Sequence, residues 1–276
     1  MKTAYIETSA INQVADLDCQ AEKILDLVSC QGFRLATGPH TIFELARNFR
    51  GGGGKTRGQK LFSILRDLAP IYQPDPGTIL QSEIEMLRYG TPVVPFLDFL
   101  ETAATQALVI RLANGMFSDE DDWHMSGVEA AKKHELRAQQ ACLIPINRLR
   151  EVDRTVRRLR TFDDVWTYSE RGGLLEPLFE ETLGGVVSMA EAKELASSPS
   201  SFPAITAAVR ANVYLNFIMI SGGVTPGKDK LDDYKHCFEA SYCDAFLTAD
   251  RQQETAMKLI CPWVSILNWN RIVRER

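Results

Sequence analysis

The stretch DKLDDYKHCFEASYCDAFLTAD, residues 229–250, decides how the chain is read. Its first part, to Cys243, reads as a helix, and AFLTAD (245–250) as a short apolar strand closed by an acid. RQQETAMKLI (251–260) then reads as a helix and VSILNW (264–269) as a last strand. The same alternation stands at the other end of the chain. TAYI (3–6) predicts a buried strand ending at Glu7, and CQAEKILDLVSCQG (19–32) a helix closed by Gly32. FRLAT (33–37) predicts a second strand and HTIFELARNF (40–49) a second helix. Strands that alternate with helices in this way build a parallel sheet.

Between these ends the pattern changes. GQKLFSILRDL (58–68) and TILQSEIEMLRYG (78–90) read as helices, and from about 91 to 225 strand signals nearly vanish. VPFLDFLETAATQALVIRLANG, VEAAKKHELRAQQACLI, INRLREVDRTVRRLR, MAEAKELASS and FPAITAAVRANVYLNFIMI all have helical character. Over 149–159, Leu149, Val152, Val156 and Leu159 form one apolar face, with Arg150, Arg154, Arg157 and Arg158 off it. The economical reading is one discontinuous α/β domain, residues 1–90 and 226–276, interrupted by an all-helical insertion at 91–225.

Composition fits that picture. The chain has 276 residues, 45% of them apolar and 24% charged, the balance of an ordinary globular protein with a sizeable core. Acidic residues interrupt the first twenty positions where a secretion signal needs an apolar run. The most apolar stretch, VYLNFIMISGGV (213–224), is too short to span a bilayer. A cytoplasmic protein with no membrane association is expected. The six cysteines form no CxxC pair and predict buried thiols rather than disulfides or a zinc knuckle. The net charge of −5 argues against a generic polyanion binder, yet Lys132 to Arg160 carries nine basic residues against three acids. A basic surface there, and carboxylates gathered elsewhere, would follow.

RNFRGGGGKTRGQK (47–60) raises a nucleotide-binding reading, and spacing removes it. A phosphate-cradling P-loop ending in Gly54-Lys55-Thr56 requires its first glycine at position 49, which is Phe49. The segment before it is also helical, not a strand. The glycines read instead as a mobile helix–helix connection on which Arg50, Lys55, Arg57 and Lys60 contact phosphates.

Acids are more informative. Glu7 and Asp250 lie at the carboxyl ends of two strands, where open α/β sheets bind ligands. Asp233 precedes Asp250 by seventeen residues, the length of one helix–strand unit, and Glu44 on the second predicted helix can face the same edge. A single Asp at a strand end is ordinarily a cap; the set of four carries the weight. Four converging carboxylates repel unless cations hold them, and oxygen ligands favour Mg²⁺ or Mn²⁺.

At these residues the chain resembles the PIN domains, metal-dependent nucleases that act mainly on RNA. The resemblance rests on AYIETSAIN with Glu7, Thr8 and Ser9, on TIFELAR with Glu44, and on DDYKHCFEASYCDAFLTADR with Asp233, Thr248 and Asp250. It covers about residues 1–90 and 226–272. It implies a three-layer α/β/α fold with a parallel central sheet. It also implies an endoribonuclease in which Glu7, Glu44, Asp233 and Asp250 hold Mg²⁺ (or Mn²⁺), with Ser9 and Thr248 donating hydrogen bonds to carboxylates or phosphate. His236, one turn after Asp233, reads as a packing or hydrogen-bonding residue near the site, and Asp232 and Asp244 as solvent-facing or capping acids, either of which could substitute as an outer ligand. His124 and His134 lack metal-pair spacing and read as surface residues.

RNA is the implied partner, positioned on the basic helix through Arg150, Arg154, Arg157 and Arg158. A second copy of the chain and an inhibitory protein of the toxin–antitoxin kind are the other candidate partners. The family's first acid is Asp where this chain has Glu7. That departure carries the alternative, a catalytically inactive PIN-like RNA-binding or protein-interaction module.

Overall fold

The computed structural model describes residues 2–17, 21–50, 54–173, 175–198, 200–223 and 227–269. The chain opens with β1 (Lys2–Ile6), α1 (Thr8–Asp16), α2 (Ala21–Cys30), β2 (Phe33–Thr37) and α3 (Pro39–Ala46). Next come α4 (Gly54–Leu68), β3 (Ile71–Tyr72) and α5 (Pro76–Tyr89). A purely helical stretch follows: α6 (Phe99–Ala113), α7 (Asp119–Val152), α8 (Phe162–Arg171), α9 (Leu175–Thr182), α10 (Met189–Ser197) and α11 (Pro203–Gly222). The fold closes with α12 (Lys228–Glu239), β4 (Ala245–Thr248), α13 (Arg251–Ile260) and β5 (Ser265–Asn268).

The five strands form one parallel sheet in the order β3-β2-β1-β4-β5. The chain therefore runs outward from β1 to one edge, then returns to β1's other side to place β4 and β5. The strand order reverses between β1 and β4. Alternation within each strand divides the core in two. Ala4, Ile6, Leu35, Ala245 and Leu247 face a core completed by α1, α2, α4 and α6. Tyr5, Ala36 and Phe246 face the other, completed by α8, α11, α12 and α13. Helices thus cover both faces of the sheet, and the helical stretch contributes to each core. A smaller cluster joins α5, α9, α10 and α11.

Several expectations change. The segment 8–16, without a helix assignment from sequence, is α1, started by Glu7 as its N-cap. The two-residue strand β3 is too short to leave a pattern. The two helices expected between 128 and 160 are one 34-residue helix, α7, which runs through Pro145 and ends at Val152 because Asp153 turns extended. The predicted apolar face at 149–159 is broken there: Val156 is buried in a short 3-10 turn, while Val152 is 80% exposed. α11 is longer than the apolar run suggested and long enough to cross a membrane, but most of it lies buried in the protein. Of the described cysteines, Cys237, Cys243 and Cys261 are buried free thiols as expected, whereas Cys30 is exposed.

The glycine run divides at the boundary of the described residues. Gly51, Gly52 and Gly53 lie outside them, and Gly54 begins α4. Lys55, Arg57 and Lys60 are therefore helix residues rather than loop residues.

Candidate functional site

The carboxyl ends of β1 and β4 feed directly into α1 and α13, and each helix start needs an acceptor for its free N–H groups. Glu7 supplies one: its carboxylate accepts from Ser9 N at 2.6 Å and Ala10 N at 3.2 Å, and also from the Ser9 hydroxyl. Only 3% of Glu7 is exposed. Asp250 supplies the other, accepting from Gln252 N at 2.6 Å and Gln253 N at 3.4 Å. Ser9 and Thr248 join the two strand ends. Ala249 N donates to Ser9 Oγ at 3.0 Å, Asp250 N donates to Thr248 Oγ1 at 2.9 Å, and the two hydroxyls are 3.4 Å apart. Four of the predicted site residues thus share one hydrogen-bonded edge at the point where strand order reverses.

Glu44 connects this edge to a second group. Thr8 Oγ1, next in sequence to Glu7, donates to Glu44 Oε2 at 2.5 Å, and His236 Nε2 meets the same oxygen at 2.9 Å. His40, one turn earlier on α3, places Nε2 3.5 Å from Glu44 Oε1 and 3.8 Å from Asp232 Oδ1. Asp232 and His236 are themselves one turn apart on α12. Two helices therefore each present a His and a carboxylate at i and i+4, one helical face opposite another. Ligand atoms of His40, Glu44 and His236 lie within 4.8 Å of one another. Among the described residues, Glu7, Asp233 and Asp250 belong to no such three-ligand group.

Buried partners surround this pair of faces. Asp232 accepts from Lys132 Nζ of α7 at 2.5 Å and from Arg47 Nη1 at 3.5 Å, and the Lys132 ammonium sits 4.4 Å above the Phe43 ring. Tyr5 Oη lies 3.2 Å from His236 Nδ1 and 2.9 Å from Thr41 Oγ1, and it donates to Glu239. Glu239 in turn accepts from His40 N at 2.9 Å and shapes the start of α3: a Cβ at Gly38 would overlap its carboxylate.

Burial sets the protonation of these groups and their partners then correct it. Burial alone would raise the Glu44 carboxyl, but His236 and His40 hold it far below the usual range. Burial would lower His236, yet Glu44 first, then Glu7 and Glu239, push it up to about 9. For His40 burial outweighs the opposing pull of Glu44 and, with His236 and Lys132, brings it down to about 4. Desolvation lifts Glu239 to about 7 and the Tyr5 hydroxyl well above its ordinary value. At neutral pH Glu44 and His236 are an ion pair and His40 is neutral. The buried His40 Nε2 has no hydrogen-bond partner.

A polar cleft of about 550 Å³ opens beside Glu44, lined by Thr8, Asn12, Glu44, Arg47, Asn48, Gly54 and Arg57. Arg57 reaches across its rim to Asp16 at 2.6 Å and Asn12 at 2.8 Å. Arg50 does not serve as a free cation: it donates to Asp122 Oδ1, Asp122 O and Ser126 Oγ, each at 2.6 Å, and to Glu129 at 3.0 Å. Arg157 is likewise engaged, donating to the carbonyls of Arg150 and Glu151 at the end of α7. Lys55, Arg154 and Arg158 are exposed. Lys132 fixes α7 at the site, so Arg150, eighteen residues on, stands about 27 Å further along the helix.

Asp232 takes a place not first expected of it. Asp232 shares the His236 face and is 6% exposed, not solvent-facing. Asp233 lies one residue round α12, beside the start of α13 that Asp250 caps: its carbonyl accepts from Gln253 Nε2 at 2.6 Å, and Cys237 feels its charge together with that of Glu7. Asp244 accepts from Thr3 N at 2.8 Å, and His124 and His134 are exposed. His40, Asp232, Lys132, Tyr5 and Glu239 carry the network, and of these only Asp232 is expected near the site, as a substitute outer ligand. The signal for two of them lies in the sequence: His40 precedes Glu44, and Asp232 precedes His236, by one helical turn.

No family model, curated protein or solved structure matches the chain.

Proposed function

We propose that the chain is a metal-dependent endoribonuclease of PIN-like fold whose reaction centre lies at Glu44. One observation carries this reading. Glu44 is at once a member of the gathered ligand group, a neighbour of the Glu7–Asp250 edge through Thr8, and a wall of the polar cleft that Arg47 and Arg57 line. Its position beside the reversal of strand order is where open α/β sheets bind ligands.

The cleft receives the scissile phosphate, and Arg57, held on its rim by Asp16 and Asn12, and Arg47, beside Asp232, balance its charge. Ser9 and Thr248 hold Glu7 and Asp250 in place against the strand ends. His236 keeps Glu44 ionised, so that it offers an acceptor to the reacting water or to a cation. A divalent metal ion supplies, when bound, an activated water and charge neutralisation at the phosphate. Mg²⁺ and Mn²⁺, the two ions implied by the sequence, both favour the oxygen that Glu44 supplies, and the two imidazoles among the gathered donors suit Mg²⁺ least. RNA then extends over Lys55, with Arg150, Arg154 and Arg158 forming a distal contact for a longer strand. The protein works in the cytoplasm, with a second copy or an inhibitory protein as its protein partner.

A second reading is favoured by Glu7. Its oxygens are occupied by α1 backbone and Ser9, so it serves the fold more than it serves a cation. On that reading the chain binds RNA without cutting it. Labelled single-stranded and structured RNA incubated with Mg²⁺ or Mn²⁺ separates the two. Wild type is expected to cleave, and Asp233→Asn and Asp250→Asn to lose cleavage. Undiminished cleavage in both variants overturns the nuclease assignment, and binding without cleavage under either metal establishes the second reading.

A further inference from the structure

We infer that His40, Glu44 and His236 form a binding site for a first-row transition-metal dication such as Zn²⁺ or Co²⁺, distinct in chemistry from a Mg²⁺ site. Three observations converge. The first is geometry. Donors about 2.1 Å from a tetrahedral ion stand about 3.4 Å from one another. Glu44 Oε2 is 2.9 Å from His236 Nε2, and Glu44 Oε1 is 3.5 Å from His40 Nε2. Both pairs stand close to that separation, and all three ligand atoms lie within 4.8 Å of one another.

The second is an unpartnered atom. His40 is 7% exposed, and its buried Nε2 points between two carboxylates with no hydrogen bond of its own. Buried imidazole nitrogens are rarely left so. An ion gives this lone pair its partner.

The third is the ring behind the ligands. Tyr5 donates its hydroxyl hydrogen bond to Glu239, so its oxygen accepts from His236 Nδ1, 3.2 Å away. That bond fixes the imidazole with Nε2 toward Glu44, the orientation that outer partners impose on metal-bound histidines. An ion between Nε2 and Oε2 takes the place of the proton those atoms now share. Asp232, already held by Lys132 and Arg47, closes one side of the site and is not counted among the ligands.

Two imidazoles and one carboxylate, with a fourth position open, select borderline ions over hard ones. Mg²⁺ takes oxygen ligands and keeps its waters, so it does not compete. The site is the donor group of the proposed nuclease centre, with His40, Glu44 and His236 in common, but its existence does not depend on RNA cleavage.

The test uses the full chain freed of metal and titrated with Co²⁺ while the visible d–d absorption is followed. One equivalent of Co²⁺ is expected to bind, undisplaced by excess Mg²⁺. His40→Gln and His236→Gln should each weaken binding by at least about 100-fold, and Asp250→Asn should leave it unchanged. Zinc K-edge absorption of the loaded wild type needs no variant and should show two imidazoles. The proposal is overturned by no Co²⁺ absorption, by displacement with Mg²⁺, by an equal loss in Asp250→Asn, or by a zinc shell without imidazole. Co²⁺ held by two imidazoles in a chain that cuts no RNA supports the site and removes the function. RNA cleavage by a chain that binds no Co²⁺ does the reverse.

Discussion

The α3–α12 pair and the β1–β4 strand ends both carry carboxylates at the same edge of the sheet, yet they solve different problems. At the strand ends a helix begins immediately, and its free N–H groups take up Glu7 and Asp250 as caps. On facing helices no such backbone donors exist, so Glu44 and Asp232 must be answered by His236, His40, Lys132 and Arg47. Acids of one kind thus become either helix caps or members of a coupled side-chain network, according to the element that bears them. A carboxylate's chemistry follows from which donors its element leaves free.

The widest gap between the regions should appear on truncation. Glu44→Ala leaves His236 buried without its counter-charge and is expected to lower unfolding free energy by about 3 kcal/mol at neutral pH, read by urea denaturation. Equal losses for Glu44→Ala and Asp250→Ala would erase the distinction.

The pH dependence of stability sharpens it next. The folded-state pKa of His236, about 9, exceeds its ordinary value of 6.5. Its stabilisation is therefore complete below pH 6.5 and disappears as pH rises through 9. Denaturant midpoints for wild type should fall across that window. His236→Gln should remove most of the slope; an unchanged slope would mean that the ion pair with Glu44 is not the source. On the acid side His40, lowered to about 4, costs stability as pH falls from 6.5 through 4, because the unfolded chain takes up the proton first.

The cap contributes less. Asp250→Ala removes acceptors for Gln252 N and Gln253 N and should cost about 1 kcal/mol in the same denaturation. Smallest of all, Arg154→Ala, an exposed side chain, should change stability by less than about 0.5 kcal/mol. Its effect on RNA affinity should also be smaller than that of Arg57→Ala, which is expected to reduce the salt dependence of binding by about one unit of slope. A larger effect at Arg154 would move the RNA path from the cleft to the end of α7.

Much of this edge is legible in the residues in order. AYIE and AFLTAD each end in an acid after a short apolar run, which locates β1, β4 and their shared edge. Ser9 and Thr248 are placed with them. Which side of α12 faces inward is not legible. Asp232 and Asp233 are chemically identical neighbours, and only packing against α3 and α7 selects the first. Lys132 lies a hundred residues from Asp232, within a helix whose composition offers no reason to bury a lysine. β3 is held by pairing with β2, a long-range effect that two residues cannot signal. The single length of α7 is hidden by Pro145, which ordinarily ends a helix and here does not.

The most direct test of the central claim pairs RNA cleavage with RNA binding in wild type and Glu44→Gln, both loaded with Mn²⁺. A reaction centre at Glu44 predicts that wild type cleaves, while Glu44→Gln retains binding and loses cleavage. Cleavage at the wild-type rate by Glu44→Gln, or none by wild type under any divalent metal, would contradict it.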